Sequence, residues 1–490
     1  MKRRPNVILI IMDTARSDHL SCYGHSRKTT PNIDEIVKHG VLFENAFSAA
    51  PWTPPSHASI FTGKYPSHHK TFGRNIQFKN QNASLAQVLS SNAYRCIGVT
   101  STPLLGLGSG FETGFHKYVE MNNQDFLSNL GHVKLWIKNI IRTIIFGPDM
   151  SAFKVTELVK SLLRKQCKES APFFLFINYL NCHIPYDPPR PFKELFCSNF
   201  KESSLYAKEY LLTRTLGRTT ETVSDKDLDI QKLQWIASGR GGAAYSTKKL
   251  QVSEKEWGVV KSWYDGEIAY LDFLIGDLID FLRDSGLFDN TLMIIASDHG
   301  ENFGEHGLAG HALSVYDSVL HVPLIVSFPS LVSKERRIRN LVSTIDIYPT
   351  ILDAVDIKLE EGISGKSLLP FEDRKIHDFI CAEYAGLHRA YAFGTRTISR
   401  EFSRIDKGCK CVRNLVYKYI ITRDGSSEKE ELYNVLRDPS EQLNIAAEHP
   451  DEASNLKEQL QSALDLSYFG PQELPDSRRI KDRLRELGYI

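Results

Sequence analysis

Residues 6–15 read Asn-Val-Ile-Leu-Ile-Ile-Met-Asp-Thr-Ala, a short apolar run that ends in an acid. A short run without polar alternation is typical of a strand inside a parallel sheet, covered by helices on both faces. In open α/β sheets, ligands bind beyond the carboxyl ends of the strands. Asp13 stands at such an end, so this stretch predicts both a covered sheet and a functional acid at its edge.

Two further apolar runs also end in polar residues. Residues 173–179 lead into a segment with His183, and residues 291–296 lead into Ser297-Asp298-His299-Gly300. A fourth apolar run covers 322–328, and helical periodicity marks about 30–40 and about 254–286. Strands that alternate with helices favour the α/β class, with a mostly parallel central sheet and helices on both faces.

The pattern changes along the chain and predicts two domains. We expect an α/β domain over residues 1–385, with a polar, weakly periodic insertion over its surface at about 198–255. After residue 385, alternating segments such as 415–422 and a helical stretch at 452–466 predict a small α+β subdomain. This subdomain, residues 386–490, should hold antiparallel strands and a closing helix.

Composition bounds the possible partners and the compartment. The chain has 490 residues, 42% of them hydrophobic and 24% charged, with a formal net charge of +1, which disfavours disorder and gives no reason to expect nucleic acid. The first apolar run is too short for a signal peptide, and the eight cysteines show no framework spacing. We therefore expect a reduced, cytoplasmic protein. The basic amphipathic stretch at 133–146 could contact a membrane surface, although packing on protein is the favoured interpretation.

Two groups of residues have the chemistry of a reactive site. Asp13, Asp298 and His299 offer oxygen and imidazole donors, a mixture that suits Zn²⁺ or Mn²⁺ better than an all-oxygen calcium site. Thr53 precedes two prolines and a predicted helix, whose first amides near Ser56 and His57 could hold an anion. Without further context, Asp298 could instead begin a turn and Thr53 could cap the helix.

Several motifs in a fixed order supply that context. They are Met12-Asp13-Thr14-Ala15-Arg16, Thr30-Pro31-Asn32-Ile33-Asp34, residues 53–63, Ser297-Asp298-His299-Gly300-Glu301, His321-Val322-Pro323-Leu324-Ile325, Asp346-Ile347-Tyr348-Pro349-Thr350 and Glu431-Leu432-Tyr433-Asn434. Over about residues 6–445 the chain resembles the sulfatase family of the alkaline phosphatase superfamily. The resemblance implies that family's fold and a hydrolase that acts on sulfate or phosphate esters.

The chain departs from a sulfatase at the nucleophile. Thr53 occupies the position of the Cys or Ser that sulfatases convert to formylglycine, and the extra methyl of threonine makes that aldehyde unobtainable. His57 replaces the Arg of the nucleophile signature, and His299 stands where sulfatases usually carry Asn or Gln. Residues 100–102 read Thr-Ser-Thr in place of an expected Lys-x-His pair.

These departures resemble the superfamily's phosphodiesterases and phosphoglycerol or phosphoethanolamine transferases, which use a threonine nucleophile. The resemblance implies one divalent metal ion, Zn or Mn favoured and Ca or Mg possible, and no formylglycine. The expected ligands are Asp13, Thr53, Asp298 and His299. The expected catalytic residues are Thr53, His57, His183 and His311, the last two facing the transferred group or the leaving oxygen.

Three functions remain open at this point. The favoured one is hydrolysis of phosphodiesters, phosphomonoesters or phosphonate esters through Thr53. The alternatives are a sulfuric ester hydrolase without formylglycine, and a phosphoglycerol or phosphoethanolamine transferase. The substrate would be a small molecule or a lipid or sugar ester, and its identity and the oligomeric state do not follow from the sequence.

Overall fold

The structure is a computed structural model that describes residues 4–72, 77–78, 83–121, 149, 151–167, 169–196, 230–311, 313–386, 406–424 and 427–466. The amphipathic segment predicted at 133–146 and residues 198–229 of the predicted insertion lie outside these residues.

Eight strands form the main sheet, and seven of them run parallel. In spatial order they are β10 (Arg336–Ser343), β2 (Val41–Phe47), β9 (Leu324–Ser327), β6 (Thr291–Ala296), β1 (Asn6–Met12), β5 (Phe173–Tyr179), β3 (Arg95–Thr100) and β4 (Lys117–Glu120). The short strand β9 is antiparallel to both of its neighbours. Two short strands outside this sheet, β7 (Asn302–Phe303) and β8 (Ala309–Gly310), form an antiparallel pair. β1 lies between β5 and β6, and all of its residues are buried. The predicted mostly parallel sheet is therefore confirmed.

Helices cover both faces of this sheet, as predicted. Those of the described chain are α1 (Pro31–Val37), α2 (Thr53–Thr62), α3 (Pro66–His69), α4 (Leu85–Ser91), α5 (Ala152–Gln166), α6 (Phe192–Leu195), α7 (Ile230–Ala237), α8 (Arg240–Ser246), α9 (Glu254–Asp284), α10 (Asp317–Leu320), α11 (Ile347–Ala354) and α12 (Pro450–Ala463). α1, α5 and α9 pack on the face that carries Ile8 and Ile10. α2, α4 and α11 pack on the opposite face, with Val7 and Leu9. Successive side chains of β1 point to opposite faces of the sheet, and helices cover both faces. The strand therefore contributes to two apolar cores and has no polar face.

A second, antiparallel sheet follows in the order β11 (Ile380–Tyr384), β12 (Gly408–Arg413), β13 (Tyr417–Asp424) and β14 (Ser427–Asn434). α12 packs against it through residues such as Leu456 and Leu460. The small C-terminal subdomain with antiparallel strands is therefore present. Its first strand begins at residue 380, before the boundary predicted at 385, and the exact division of domains stays a prediction.

A buried ion network joins this second sheet to the start of α10. The Lys418 ammonium, fully buried, lies 2.7 Å from the Asp317 carboxylate and 2.7 Å from that of Glu441. Burial by itself lowers the pKa of Lys418, but the two carboxylates overcome this and raise it above its ordinary value. Since each ion is paired, the network holds the two sheets together without an isolated buried charge.

The described part of the predicted insertion begins with a helix that packs on the main domain. α7 buries Leu233 and Ile236 in the same core as α9, because its apolar residues lie at helical spacing along one face. Residues 247–255 are exposed or half-buried, and the insertion as a whole stays a prediction. Within the described ranges, none of the helices combines the length and apolar character needed to cross a bilayer.

Candidate active site

A backbone turn after β1 brings Asp13 into the site. The Asp13 amide donates to Tyr179 O at 2.9 Å, which extends the pairing of β1 with β5 by one residue. Thr14 then adopts a left-handed conformation with φ of 61°, which is rare for a β-branched residue. This turn points the Thr14 amide at the Asp298 side chain, 3.2 Å away. Strain of this kind is usually kept where function needs it.

Asp298 follows β6 and has two differently engaged oxygens. Its Oδ1 accepts from the amides of Thr14 at 3.2 Å and His299 at 3.0 Å. Its Oδ2 is buried and has no hydrogen-bond partner. The backbone oxygen of Asp298 accepts from Ser56 Oγ at 2.6 Å, which ties α2 to the end of β6. The carboxylate is therefore held by one oxygen and presents the other to the site.

Thr53, the first residue of α2, lies beside His299, the residue that follows Asp298. Its Oγ1 is 3.3 Å from His299 Nε2, and its side chain is buried. The Ser56 amide, one of the anion-holding donors that we expected, is not available, because it donates to Trp52 O at 3.3 Å. Pro54 and Pro55 carry no N–H, so the first turn of α2 offers fewer donors than we expected.

Asp13, Asp298 and His299 form a group that fits a divalent cation. One ligand atom from each lies within 4.8 Å of the others, and Asp13 Oδ1, like Asp298 Oδ2, is buried without a partner. His299 Nδ1 is 3.0 Å from Gly300 O, so it carries the proton and Nε2 offers a lone pair. Two unpartnered carboxylate oxygens and an imidazole lone pair, all turned to one point, are the donor set that zinc or manganese prefers.

The electrostatics of the group favour a cation as well. Burial raises the pKa of Asp298 to about 7. Burial and, next, the charge of Asp298 raise the pKa of Asp13. Burial and the nearby His311 lower the pKa of His299. The imidazole is therefore neutral, while the two carboxylates resist ionising together unless a positive charge lies between them.

His57 contacts both Thr53 and Asp298. Its Nδ1 lies 2.9 Å from Thr53 O and 3.4 Å from Asp298 Oδ2, and the ring is fully buried against Phe111 and Phe176. Burial lowers the pKa of His57 to about 4, so it is neutral. This arrangement suits a residue that positions the other two. Its assignment to catalysis stays a prediction.

His183 and His311 lie next to His299. The ring centroids of His311 and His299 are 4.5 Å apart, and those of His183 and His311 are 4.9 Å apart. Burial and the neighbouring His311 lower the pKa of His183 to about 4. The structure therefore brings together Thr53, His183, His311 and the metal-ligand group, which come from separate segments of the chain.

Sequence reasoning missed three residues that support the site. Asn178, in β5, donates to Asp13 Oδ2 at 3.3 Å, and Thr100 Oγ1 donates to Asn178 Oδ1 at 3.2 Å. The Thr-Ser-Thr segment thus helps to orient a metal-ligand candidate. Asn178 could have been recognised from the sequence, because a polar asparagine inside an otherwise apolar strand needs a hydrogen-bond partner.

The other two missed residues are Glu301 and Tyr186. Glu301 is fully buried, accepts from the Tyr186 hydroxyl at 2.7 Å, and lies 3.2 Å from His311 Nδ1. Burial and the Glu301 charge raise the pKa of Tyr186, so its hydroxyl keeps its proton. Glu301 directly follows the Asp298-His299-Gly300 motif, and that position was its only signal in the sequence.

The site combines a buried hydroxyl, two carboxylates and an imidazole at the carboxyl edge of a parallel sheet. These are the groups expected in an α/β ester hydrolase. The chain belongs to the sulfatase family, whose model, described as Sulfatase, matches residues 5–357. A second model, described as N-sulphoglucosamine sulphohydrolase, C-terminal, matches residues 304–467. The protein is therefore a hydrolase that acts on sulfate or phosphate esters, and enzymes of this family generally use a divalent metal ion.

Individual relatives agree with this assignment. Arylsulfatase K of Bos taurus is 27% identical over 485 residues, covering 94% of this chain and 82% of the relative. Arylsulfatase K of Homo sapiens is 26% identical, with 94% and 83% covered. The phosphonate monoester hydrolase of Agrobacterium radiobacter superposes with a TM-score of 0.69 at 21% identity, covering 94% of this chain and 95% of its own. A protein solved in complex with its substrate D-glucosamine-2-N,6-O-disulfate gives 0.69 at 18%, with 99% and 98% covered. At these identities the two structures support the fold alone.

Proposed function

We propose that this protein hydrolyses phosphate or phosphonate esters with Thr53 Oγ1 as the nucleophile and one divalent cation held by Asp13, Asp298 and His299. The observation that carries the proposal is the position of Thr53 Oγ1, 3.3 Å from His299 Nε2, which itself lies 3.4 Å from the unpartnered Asp298 Oδ2. A hydroxyl in that place is poised to become a nucleophile, whereas a helix cap would face backbone amides.

A cation held by Asp13, Asp298 and His299 would supply positive charge that favours ionisation of a neighbouring hydroxyl. Thr53 Oγ1 gives its proton to solvent. Oγ1 then forms a bond to phosphorus while the bond from phosphorus to the leaving oxygen breaks. The leaving oxygen takes a proton from the His311 imidazole, and His183 lies beside it. Water next attacks phosphorus and the bond to Oγ1 breaks. The water gives one proton to the imidazole, and Oγ1 takes a proton back from solvent, which restores the starting state.

The threonine side chain bears on the choice between phosphate and sulfate. A Thr53 ester must be cleaved by attack of water at phosphorus or sulfur, because threonine has no second hydroxyl that could expel the group. This favours the phosphate and phosphonate esters. A sulfuric ester hydrolase without formylglycine is the second candidate, and the arylsulfatase K relatives, at 27% and 26% identity, favour it. A transferase of the phosphoglycerol or phosphoethanolamine type would use the same nucleophile with an alcohol in place of water.

The seven described cysteines, residues 22, 96, 167, 182, 381, 409 and 411, are free thiols. Their state agrees with a reducing compartment. A cytoplasmic location stays a proposal, as does a small-molecule ester for the natural substrate.

The test is a parallel assay of 4-nitrophenyl sulfate, 4-nitrophenyl phosphate, bis(4-nitrophenyl) phosphate and 4-nitrophenyl phenylphosphonate, with metal content measured on the same sample. Thr53→Ala should lower turnover of the preferred ester roughly a thousandfold or more, because the attacking atom is gone. Thr53→Ser should keep appreciable activity, since the hydroxyl remains. Thr62→Ala is the matched control at the other end of α2, where the hydroxyl only bonds to Ala58 O at 2.7 Å.

The covalent route has its own measurement. After an acid quench, the peptide that contains Thr53 should carry the added mass of a phosphoryl or phosphonyl group. Turnover by Thr53→Ala close to that of the wild type would refute the nucleophile assignment. Turnover of the sulfate ester alone, with a sulfated Thr53 peptide, would refute the phosphate and phosphonate assignment and support the second candidate, a sulfuric ester hydrolase.

A further inference from the structure

The Glu301 carboxylate forms a three-residue arrangement with Tyr186 and His311. Both of its oxygens lie near His311 Nδ1, at 3.2 Å and 3.3 Å, and its Oε2 also accepts from the Tyr186 hydroxyl at 2.7 Å. The Glu301 side chain is completely buried, and the His311 side chain is 2% exposed. A buried carboxylate with no role would be costly, so this one needs a reason to be retained.

The backbone of Glu301 is also held in place. Its carbonyl oxygen accepts from Arg16 Nη1 at 2.8 Å, and its amide donates to Ser318 O at 3.1 Å. With main chain and side chain both fixed, the carboxylate has little freedom to move away from His311. The His311 ring therefore has its Nδ1 edge turned towards Glu301.

We propose that Glu301, fixed by Tyr186, is a positioning residue that orients His311 so that its Nε2 serves the leaving oxygen of the ester. With Nδ1–H donated to Glu301, Nε2 is the nitrogen that exchanges a proton during the reaction. This inference rests on the proposed ester hydrolysis and adds to it the group that controls proton delivery.

The proton balance of this step is closed. His311 Nε2 gives its proton to the leaving oxygen as the bond from that oxygen to phosphorus or sulfur breaks. Glu301 accepts the Nδ1–H of His311 and keeps that proton in place. Water that attacks the ester on the enzyme returns one proton to Nε2, and Thr53 Oγ1 regains a proton from solvent, which restores the starting state.

The test compares a good leaving group with a poor one. The probes are the 4-nitrophenyl and phenyl esters of the head group that the wild-type protein turns over. Proton delivery matters more when the leaving oxygen is more basic, so Glu301→Gln should lower kcat/KM about 100-fold for the phenyl ester and less than about tenfold for the 4-nitrophenyl ester. A merely structural role would lower both by the same factor.

A double-mutant cycle joins Glu301 to His311. His311→Gln should show the same dependence on the leaving group, and the double variant Glu301→Gln/His311→Gln should be little worse than His311→Gln alone. Tyr186→Phe should move kcat/KM in the same direction by a smaller factor, and it carries the test if Glu301→Gln does not fold. Glu267→Gln is the matched control, a buried carboxylate held by Asn181 at 3.2 Å and the Asp187 amide at 3.1 Å. It should lower the two rates equally, if at all.

Equal losses on both esters in Glu301→Gln and Tyr186→Phe would overturn the inference, as would additive losses in the cycle. The result is separable from the fate of the proposed nucleophile. The dependence on the leaving group can be measured whether or not Thr53→Ala is active, since protonation assists a basic leaving oxygen whichever group attacks.

Discussion

Replacing Asp298 with Asn should stabilise the metal-free protein and abolish its metal binding. The two carboxylates of the site are buried together, and burial raises the pKa of Asp298 from 3.8 to about 7. A raised carboxyl pKa means that the folded state binds the proton more tightly than the unfolded chain does. The metal-free fold therefore loses stability as the pH rises from about 4 through about 7.

The size of the effect follows from this shift. About three pKa units correspond to roughly 4 kcal/mol, because each unit is worth about 1.4 kcal/mol. Asparagine is uncharged and carries none of this cost, and its amide nitrogen can donate to His299 Nε2, which lies 3.4 Å from Asp298 Oδ2. Metal-free Asp298→Asn should thus exceed the wild type in unfolding free energy by up to about 4 kcal/mol at pH 8, and by less than about 2 kcal/mol at pH 5.

The assay is urea unfolding of chelator-treated protein at pH 5 and pH 8, repeated with saturating Zn²⁺ or Mn²⁺. A cation at 100 times its dissociation constant should add about 2.7 kcal/mol to the wild type and nothing to the variant. Asp265→Asn is the control of opposite sign. Burial alone would raise the pKa of Asp265, but His19 and His25 overcome this and hold it below its ordinary value. Loss of that carboxylate should destabilise the fold at pH 8.

The reasoning would be refuted if metal-free Asp298→Asn were no more stable than the wild type at pH 8. A stability difference that did not change between pH 5 and pH 8 would contradict it equally. Metal retained at wild-type stoichiometry by the variant would remove Asp298 from the ligand set.

Metal affinity should fall as the pH drops below about 7, because protons then compete with the cation for Asp298, whose pKa is about 7 in the metal-free site. Isothermal titration with Zn²⁺ between pH 8 and pH 5 measures this, and constant affinity would contradict it. Replacing Lys418 with Met should lower the unfolding free energy by about 3–5 kcal/mol, since Asp317 and Glu441 would keep buried charge without their shared cation. Urea unfolding measures this loss, and a change below about 1 kcal/mol would show that the network is not a stabilising contact.

Much of the fold could be predicted because its central strands carry a simple signal. β1, β5 and β6 coincide with the predicted apolar runs. A strand that is buried on both faces is apolar along its length, so the first polar residues mark where it ends. The run at 322–328 also contains a strand, Leu324–Ser327, but one that is antiparallel to its neighbours. Strand direction depends on how the connection crosses the sheet, and local periodicity carries no record of that.

The site could be predicted in part, for a similar reason. The ends of the strands and the order of the motifs are enough to predict that Asp13, Asp298 and Thr53 meet in one place. The loss of anion-holding amides in α2 was also readable, because the two prolines have no N–H. The partners of Asp13 could not be predicted in the same way. Asn178, which donates to it, lies 165 residues further along the chain.

The sequence by itself determined which groups carry the chemistry: an acid after β1, a hydroxyl at the start of a helix and an Asp-His pair after β6. The tertiary structure decided how those groups are used. It left one oxygen each of Asp13 and Asp298 without a partner, and it turned Nε2 of His299 towards Thr53. It also set Glu301 against His311. Residue type fixes which atoms can donate or accept, but the hydrogen bonds that choose among those atoms come from segments that meet only when the sheet forms.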